Sequence, residues 1–507
     1  MKTKLSRRDF LKLAGLLPLT YYIPHYLIKP DHPIKNPNAQ NVIIIVFDAL
    51  SAMNMEIFGY SRETMPNLSK LADRATVYHN HFASGNFTTP GTASLLTGTY
   101  PWTNRGFVSG KPILDEFNTK NIFSLFDQYY RITYSHNPFV TTLQNQFAAD
   151  LDQYKPRREL YLRSDKVISQ LFEKDEDIAL LSWVRSIKKK RGHAYSLFLS
   201  HIYQAISEGS PENLSEFFPR GIPFIGVDSY YLLEEAIDWT HSELLNIPQP
   251  FLGYFHYLPP HKPYFTRKEF VDVFKNDVFI FWEKPHPIKK NTTHYYPNKH
   301  NWYDEFILYA DAEFYRFFNN LQESGLLENT WLILTSDHGE IFERGVQGHI
   351  NELLHQPLVR IPLLIFEPGQ QTRQDVHEAT SAVDVLPTLL HLTGQEIPSW
   401  CEGEVLPPYR DSELTRDRSV FALEAKNNNQ SSPITTGTGM IVKGGYKLMY
   451  YFGYDTLKEN EAKYELYDLE NDPEELYNLA KPKLNLTEDL LDELKAKIEE
   501  ADKPYSD

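Results

Sequence analysis

Residues 41–50 read NVIIIVFDAL, and this run limits the fold more than any other stretch. Val42 through Phe47 are apolar without alternation, whereas a strand with one wet face alternates apolar and polar. A run apolar on both faces is covered on both faces, as in the centre of a parallel α/β sheet. It closes on a carboxylate, Asp48. A second run, WLILTSDHGE at 331–340, closes in the same way on Asp337 and His338. Ligands of open α/β sheets bind at the carboxyl ends of the strands, so two strands ending in acid and imidazole can meet at one site. Helical patterns at 65–75, 230–245 and 304–325 lie between the strand-like runs, which predicts an α/β fold with a doubly wound, mostly parallel sheet flanked by helices.

The texture changes after about residue 410. The pieces SVFALEA, GMIVKGGYKLMYY and AKYELYDLE, followed by a helical pattern at 484–501, predict a small C-terminal antiparallel α+β subdomain. The expected organisation is a signal and linker at 1–40, a catalytic domain at 41–410 with a helical insertion at 150–222, and the subdomain at 411–507. A formal net charge of -16 argues against a nucleic-acid partner. The basic run IKKKRGH at 187–193 reads as a solvated helix face. One cysteine, Cys401, excludes a disulfide framework or a cysteine metal knuckle. The 32 Tyr and 31 Phe read as core and groove lining. At the N-terminus, Ser6 to Lys12 (SRRDFLK) resembles a twin-arginine export signal, with Arg7 and Arg8 as its pair. The expected partner is then the twin-arginine machinery and the expected location extracytoplasmic or periplasmic. If the apolar stretch after it is retained, it anchors the protein to the membrane.

The chemistry centres on FTTPGTASLLTGTYP at 87–101. Thr88 precedes Thr89, Pro90 and Gly91 and then a helical stretch, which puts its hydroxyl near a helix N-terminus where free amides and the dipole favour an anion. Taken alone, Thr88 reads as an N-cap worth ~1 kcal/mol. Taken with Asp48, Asp337 and His338, which suit one divalent metal, it reads as a nucleophile whose hydroxyl the metal activates. Pro90 and Gly91 are expected to shape the turn that presents it.

NVIIIVFDAL, TTPGTASLLTGTYP, YLPPHKPY, LTSDHGE, VQGH, VRIPLLIFEPG, SAVDVLPTLLHLTG and YELYDLENDPEELYNLA occur in the order found in the sulfatase family of the alkaline phosphatase superfamily, which this chain resembles over about 41–480. The resemblance implies an alkaline-phosphatase-like sheet, a divalent metal held by Asp48, Thr88, Asp337 and His338, and a covalent sulfo- or phospho-enzyme intermediate. It also implies a small-molecule, lipid head-group or polysaccharide ester as substrate. His261 in PPHKPY matches the family's substrate-binding histidine. His349 in QGH matches a Lys or His that contacts the transferring group or leaving oxygen. The chain departs from the family in three places. Thr88, Pro90 and Thr92 stand where sulfatases have C-x-P-x-R or S-x-P-x-R, so no formylglycine can form. Ala49 follows Asp48 where the family has a second aspartate. SHNPF at 135–139 replaces a K-W-H segment, which brings in Asn137 as a substrate-binding candidate. Together these departures resemble the threonine-nucleophile branch of phosphoglycerol and phosphoethanolamine transferases and related phosphodiesterases, with Mn, Zn or Mg favoured and Ca the alternative. A second metal is not expected, because no histidine accompanies Asp311. His256, His355 and Asn137 are read chiefly as packing or supporting groups, and Glu340 as a residue that orients its loop.

Overall fold

The computed structural model describes residues 39–162, 214–225, 229–277, 282–289, 292–410, 418–457 and 463–506. The twin-arginine segment, the basic run at 187–193 and most of the insertion at 150–222 lie outside these residues.

Eight strands form the main sheet: β1 (Asn41–Phe47), β2 (Thr76–Phe82), β3 (Tyr130–Ser135), β4 (Gln153–Tyr154), β5 (Phe251–Tyr257), β6 (Thr330–Thr335), β7 (Leu363–Phe366) and β8 (Gln374–Ser381), in the order β4-β3-β5-β1-β6-β7-β2-β8. β1 lies between β5 and β6, parallel to both. The sheet is mostly parallel, with β7 antiparallel to both its neighbours. β4 is a correction to the helical reading of 150–222, since residues 153–154 pair in parallel with β3.

β1 is buried along its whole length, and its side chains divide by the period of two. Ile43, Ile45 and Phe47 enter the core on one face, and Val42, Ile44 and Val46 the core on the other. Each such side chain contributes about 1.5–3 kcal/mol by leaving water, which is why this strand anchors the sheet. Helices cover both faces. The ones used below are α1 (Thr88–Thr97), α2 (Pro138–Gln146), α3 (Leu233–Leu244), α4 (Pro297–Glu323), α5 (Val385–Leu392) and α6 (Leu484–Asp502). α4 begins seven residues before its apolar pattern does, at Pro297, whose missing N–H costs nothing in the first turn.

A second sheet of β9 (Val420–Glu424), β10 (Gly437–Lys443), β11 (Tyr446–Phe452) and β12 (Lys463–Asp468) is antiparallel, in the order β12-β11-β10-β9. α6 packs on it through Leu490, Leu494 and Ile498, spaced four apart on one helical face. Arg418, just before β9, is bound to Asp384 beside α5 at 2.6 Å. Among the described residues no helix is long and apolar enough to cross a membrane.

Candidate active site

Four adjacent parallel strands, β3, β5, β1 and β6, each deliver one polar group or pair at their carboxyl ends. Asn137 follows β3 and caps α2, its side chain accepting from the Phe139 amide at 2.8 Å. His256 is in β5, in register with Val46 of β1. Asp48 follows β1, and Asp337 and His338 follow β6. Thr88 comes from the start of α1. His256 Nε2 lies 3.2 Å from Asp48 Oδ2 and 3.7 Å from Asp337 Oδ2. His338 Nε2 lies 3.5 Å from both Asp48 Oδ1 and Asp337 Oδ2. Thr88 Oγ1 is 3.4 Å from His338 Nε2 and accepts from Asn137 Nδ2 at 3.2 Å. The same Asn137 amide donates to Asp48 Oδ2.

Backbone strain is built into this corner. Ala49 has φ 63°, a conformation that costs a residue with a Cβ roughly 1–2 kcal/mol. Its N–H donates to Asp337 Oδ1 at 3.2 Å and its carbonyl accepts from Tyr303 Oη at 2.6 Å, which holds the turn and ties the ends of β1 and β6 together.

All these side chains are buried, and two carboxylate oxygens, Asp48 Oδ1 and Asp337 Oδ2, have no hydrogen-bond partner. Burial and then the neighbouring Asp48 charge push Asp337 up to about 7. Burial also acts to raise Asp48, but His261, His256 and His338 outweigh it and hold this carboxyl well below its usual range. Two buried carboxylates with orphaned oxygens and imidazole nitrogens beside them form a donor set that fits a divalent cation.

The opposite wall carries His349, His261 and Glu340. His349 Nδ1 lies 3.2 Å from Glu340 Oε2, and its ring centroid is 4.3 Å from that of His338 and 4.9 Å from that of His261. His261 Nδ1 lies 2.6 Å from the Lys262 carbonyl and donates to it. Burial first, and then the neighbouring His338, lowers the pKa of His349 well below the usual imidazole value. Burial brings His261 to about 4 and raises Glu340.

The sulfatase family model matches residues 40–395, a span that contains every residue of this cluster. The chain belongs to the sulfatase family. The C-terminal model of N-sulphoglucosamine sulphohydrolase matches residues 349–504. Choline-sulfatase of Rhizobium meliloti (strain 1021) is 22% identical over 465 residues, 87% of this chain and 82% of that protein. Arylsulfatase K of Bos taurus is 27% identical over 287 residues, 49% of this chain and 51% of the relative. The chain thus spans about half the length of the arylsulfatase K proteins it matches. The phosphonate monoester hydrolase of Agrobacterium radiobacter has the same fold, with a TM-score of 0.63 at 20% identity over 90% of this chain and 96% of that one.

Within this member of the sulfatase family the structure decides between the two readings of Thr88 and revises two others. Thr88 is not an N-cap: Phe87 holds that position, and the Thr88 hydroxyl turns toward His338 and Asn137. Gly91 does not shape a turn. It lies inside α1, where a Cβ would fall 2.0 Å from the Asp337 carbonyl oxygen, so its missing side chain lets α1 close on the end of β6. His256 and Asn137 are part of the cluster and do more than pack. His256 is read from the sequence as a packing or supporting group because β5, FLGYFHY, reads as buried core, yet an imidazole near the carboxyl end of such a strand has the same signature as Asp48. His355 is remote from this cluster in its contacts, 3.5 Å from Glu465 of β12. Asp311 accepts from the Asn67 and Leu68 amides and anchors the helix at 66–71.

Proposed function

We propose that this protein cleaves phosphoesters through a covalent ester on Thr88, with one divalent cation held by Asp48, Asp337, His338 and His256. The observation that carries the reading is the Thr88 hydroxyl itself, released from any capping role and set 3.4 Å from His338 Nε2 among acids with orphaned oxygens. When bound, the cation supplies positive charge that favours the alkoxide form of a hydroxyl and the anionic oxygens of the ester. The nitrogen donors favour Mn or Zn over Ca.

Each group of the chain has a part. Thr88 Oγ1 attacks phosphorus, the bond to the leaving oxygen breaks, and the proton that the Thr88 hydroxyl gives up passes to that oxygen. The amides of Thr88 and Thr89, with no carbonyl to meet in the first turn of α1, face the anionic oxygens. Asn137 holds Thr88 Oγ1 and Asp48 in one geometry. Water then attacks phosphorus, the bond to Thr88 breaks, and Thr88 recovers its proton. With Nδ1 directed at Glu340, His349 keeps Nε2 free to take the proton of that water. His261 lines the same wall and binds the leaving part of the substrate.

The preference for phosphorus follows from the nucleophile. A hydrated formylglycine can expel its ester by re-forming a carbonyl, whereas a threonine ester must be opened at its central atom. Sulfate ester cleavage without formylglycine is the second reading, favoured by the sulfatase names of the relatives at R. meliloti and B. taurus. Nitrophenyl phosphate monoester, diester and sulfate, assayed side by side with Mn, Zn, Mg or Ca, separate the two. Thr88-dependent cleavage of a phosphoester at least about tenfold faster than the sulfate is the expected result. A dominant sulfate reaction overturns it.

Asp337→Asn is expected to lower the bound metal to well under half an equivalent, measured by elemental analysis of the purified protein. Unchanged occupancy removes Asp337 from the site. The same reading has the folded protein exported through its Arg7 and Arg8 segment, so Lys at both positions is expected to leave it in the cytoplasm on cell fractionation.

A further inference from the structure

Two residues ahead of Thr88, Asn86 is fully buried in the bend that leads into α1. Its Nδ2 donates to two carbonyls of the segment after His349, to that of Asn351 at 3.0 Å and to that of Leu353 at 2.8 Å. Both bonds demand the amide nitrogen, and they leave Asn86 Oδ1 buried with no hydrogen-bond partner among the described residues. An unmet buried acceptor is costly, so this side chain is a poor device for stability alone. What it does is tie the segment that presents Thr88 to the one that presents His349.

The tie reaches a turn that is closed on itself. Gly348 takes φ 104°, the Asn351 amide donates to the His349 carbonyl at 2.9 Å, and Asn351 Nδ2 donates to the Gly348 carbonyl at 2.9 Å. Asn351 Oδ1 accepts from the Leu353 amide at 2.8 Å. The Asn351 carbonyl that accepts from Asn86 also accepts from Lys426 Nζ at 2.8 Å. Lys426 belongs to the C-terminal subdomain, just after β9, and its ammonium lies 2.9 Å from the buried Glu424. Thr438 of β10 adds a bond from Oγ1 to the Glu352 carbonyl at 2.7 Å. One carbonyl thus gathers the bend before the nucleophile, the turn after His349 and the second sheet.

We infer that Asn86 and Lys426 are positioning residues that set His349 against Thr88, so that the C-terminal subdomain completes the active site. Among the described residues neither side chain hydrogen-bonds to a group of the catalytic cluster. The inference rests on the proposed roles of Thr88 as nucleophile and His349 as base in the second step. In that step water adds to phosphorus, its proton goes to His349 Nε2, and the bond to Thr88 Oγ1 breaks. Glu340 fixes how the His349 ring is turned, and the turn at 348–353 fixes where the ring stands. Freeing that turn slows the breakdown of the Thr88 ester. Its formation makes no demand on His349, because the leaving oxygen takes the proton that Thr88 gives up.

The test uses the full-length protein with Mn and the nitrophenyl phosphodiester, followed by steady-state kinetics and by intact-protein mass spectrometry of quenched turnover. Here kcat/KM reports formation of the Thr88 ester, and kcat together with the adduct fraction reports its breakdown. Asn86→Ala is expected to lower kcat by about tenfold, to keep kcat/KM within about threefold, and to raise the fraction of protein carrying the adduct. In a His349→Ala background the same change is expected to cost less than about twofold, since the group it positions is gone. Lys426→Met releases the shared carbonyl from the other side and is expected to lower kcat by about threefold with the same rise in adduct. It decides the matter if Asn86→Ala fails to fold. A merely structural role lowers kcat and kcat/KM together with no rise in adduct, and that outcome overturns the inference. So does unchanged breakdown in a folded variant, or an undiminished cost in His349→Ala, while the Thr88 reading stands. Turnover of the wild type with no adduct at Thr88 overturns that reading and the inference with it.

Discussion

Thr88→Ala loses ester turnover by about a thousandfold or more while the protein stays folded, because the change removes the attacking oxygen and little else. Thr88 is 2% exposed and its Oγ1 makes no capping bond, so α1 loses no terminal hydrogen bond with it. Intact-protein mass spectrometry provides the complementary readout: wild type quenched during turnover carries an adduct of the mass of one transferred group, and Thr88→Ala carries none. Thr88→Ser keeps the hydroxyl and is expected to retain measurable activity. Turnover of Thr88→Ala within tenfold of wild type excludes threonine as the nucleophile.

Gly91→Ala is the second large effect, and it acts on a residue that touches no substrate. The added Cβ meets the Asp337 carbonyl oxygen at 2.0 Å and its carbonyl carbon at 2.8 Å. Both atoms belong to backbone, so no rotamer change relieves the clash, and α1 must move away from the end of β6. Overpacking of this kind costs ~1–3 kcal/mol. A shift of about 1 Å in a nucleophile costs on the order of a hundredfold in rate. The expected result is a turnover drop of that size together with a lower melting temperature. A variant with wild-type rate and stability removes the close approach of α1 to Asp337 as a condition of the site.

The parts of the fold visible in the sequence were those where burial leaves a one-dimensional trace. β1 and β6 are unbroken apolar runs that end on acids, and no other placement of Asp48 and Asp337 suits such runs. The C-terminal antiparallel sheet was visible as strand-like pieces, and the structure folds one of them, GMIVKGGYKLMYY, into the hairpin of β10 and β11 at Gly444 and Gly445, which take the positive φ that the turn needs. What stayed hidden depends on long-range pairing. β4 is two residues long and is defined by its partner, and the antiparallel direction of β7 leaves no mark on LLIF. The same holds in the site. Asp48, Thr88, Asp337 and His338 sit in motifs and Asn137 is a substrate-binding candidate through SHNPF, while its contacts to Thr88 and Asp48, and the part of His256, emerge only when β3 and β5 come to lie beside β1. Gly91 was noticed for its type and given the wrong reason, because the carbonyl it accommodates lies in a segment far along the chain.

The place of β1 in the sheet also bears on how the protein is made. β1 is synthesised early, but the strands that flank it follow much later: His256 of β5 lies 208 residues beyond Asp48, and Thr330 of β6 lies 289 beyond Asn41. Until both arrive, the segment VIIIVF has two bare hydrogen-bonding edges and two uncovered apolar faces, the combination most prone to pair with a copy of itself. The strand that anchors the finished protein is thus the hazard of the nascent one, and a chain cut short before β6 retains that hazard without Asp337 and His338.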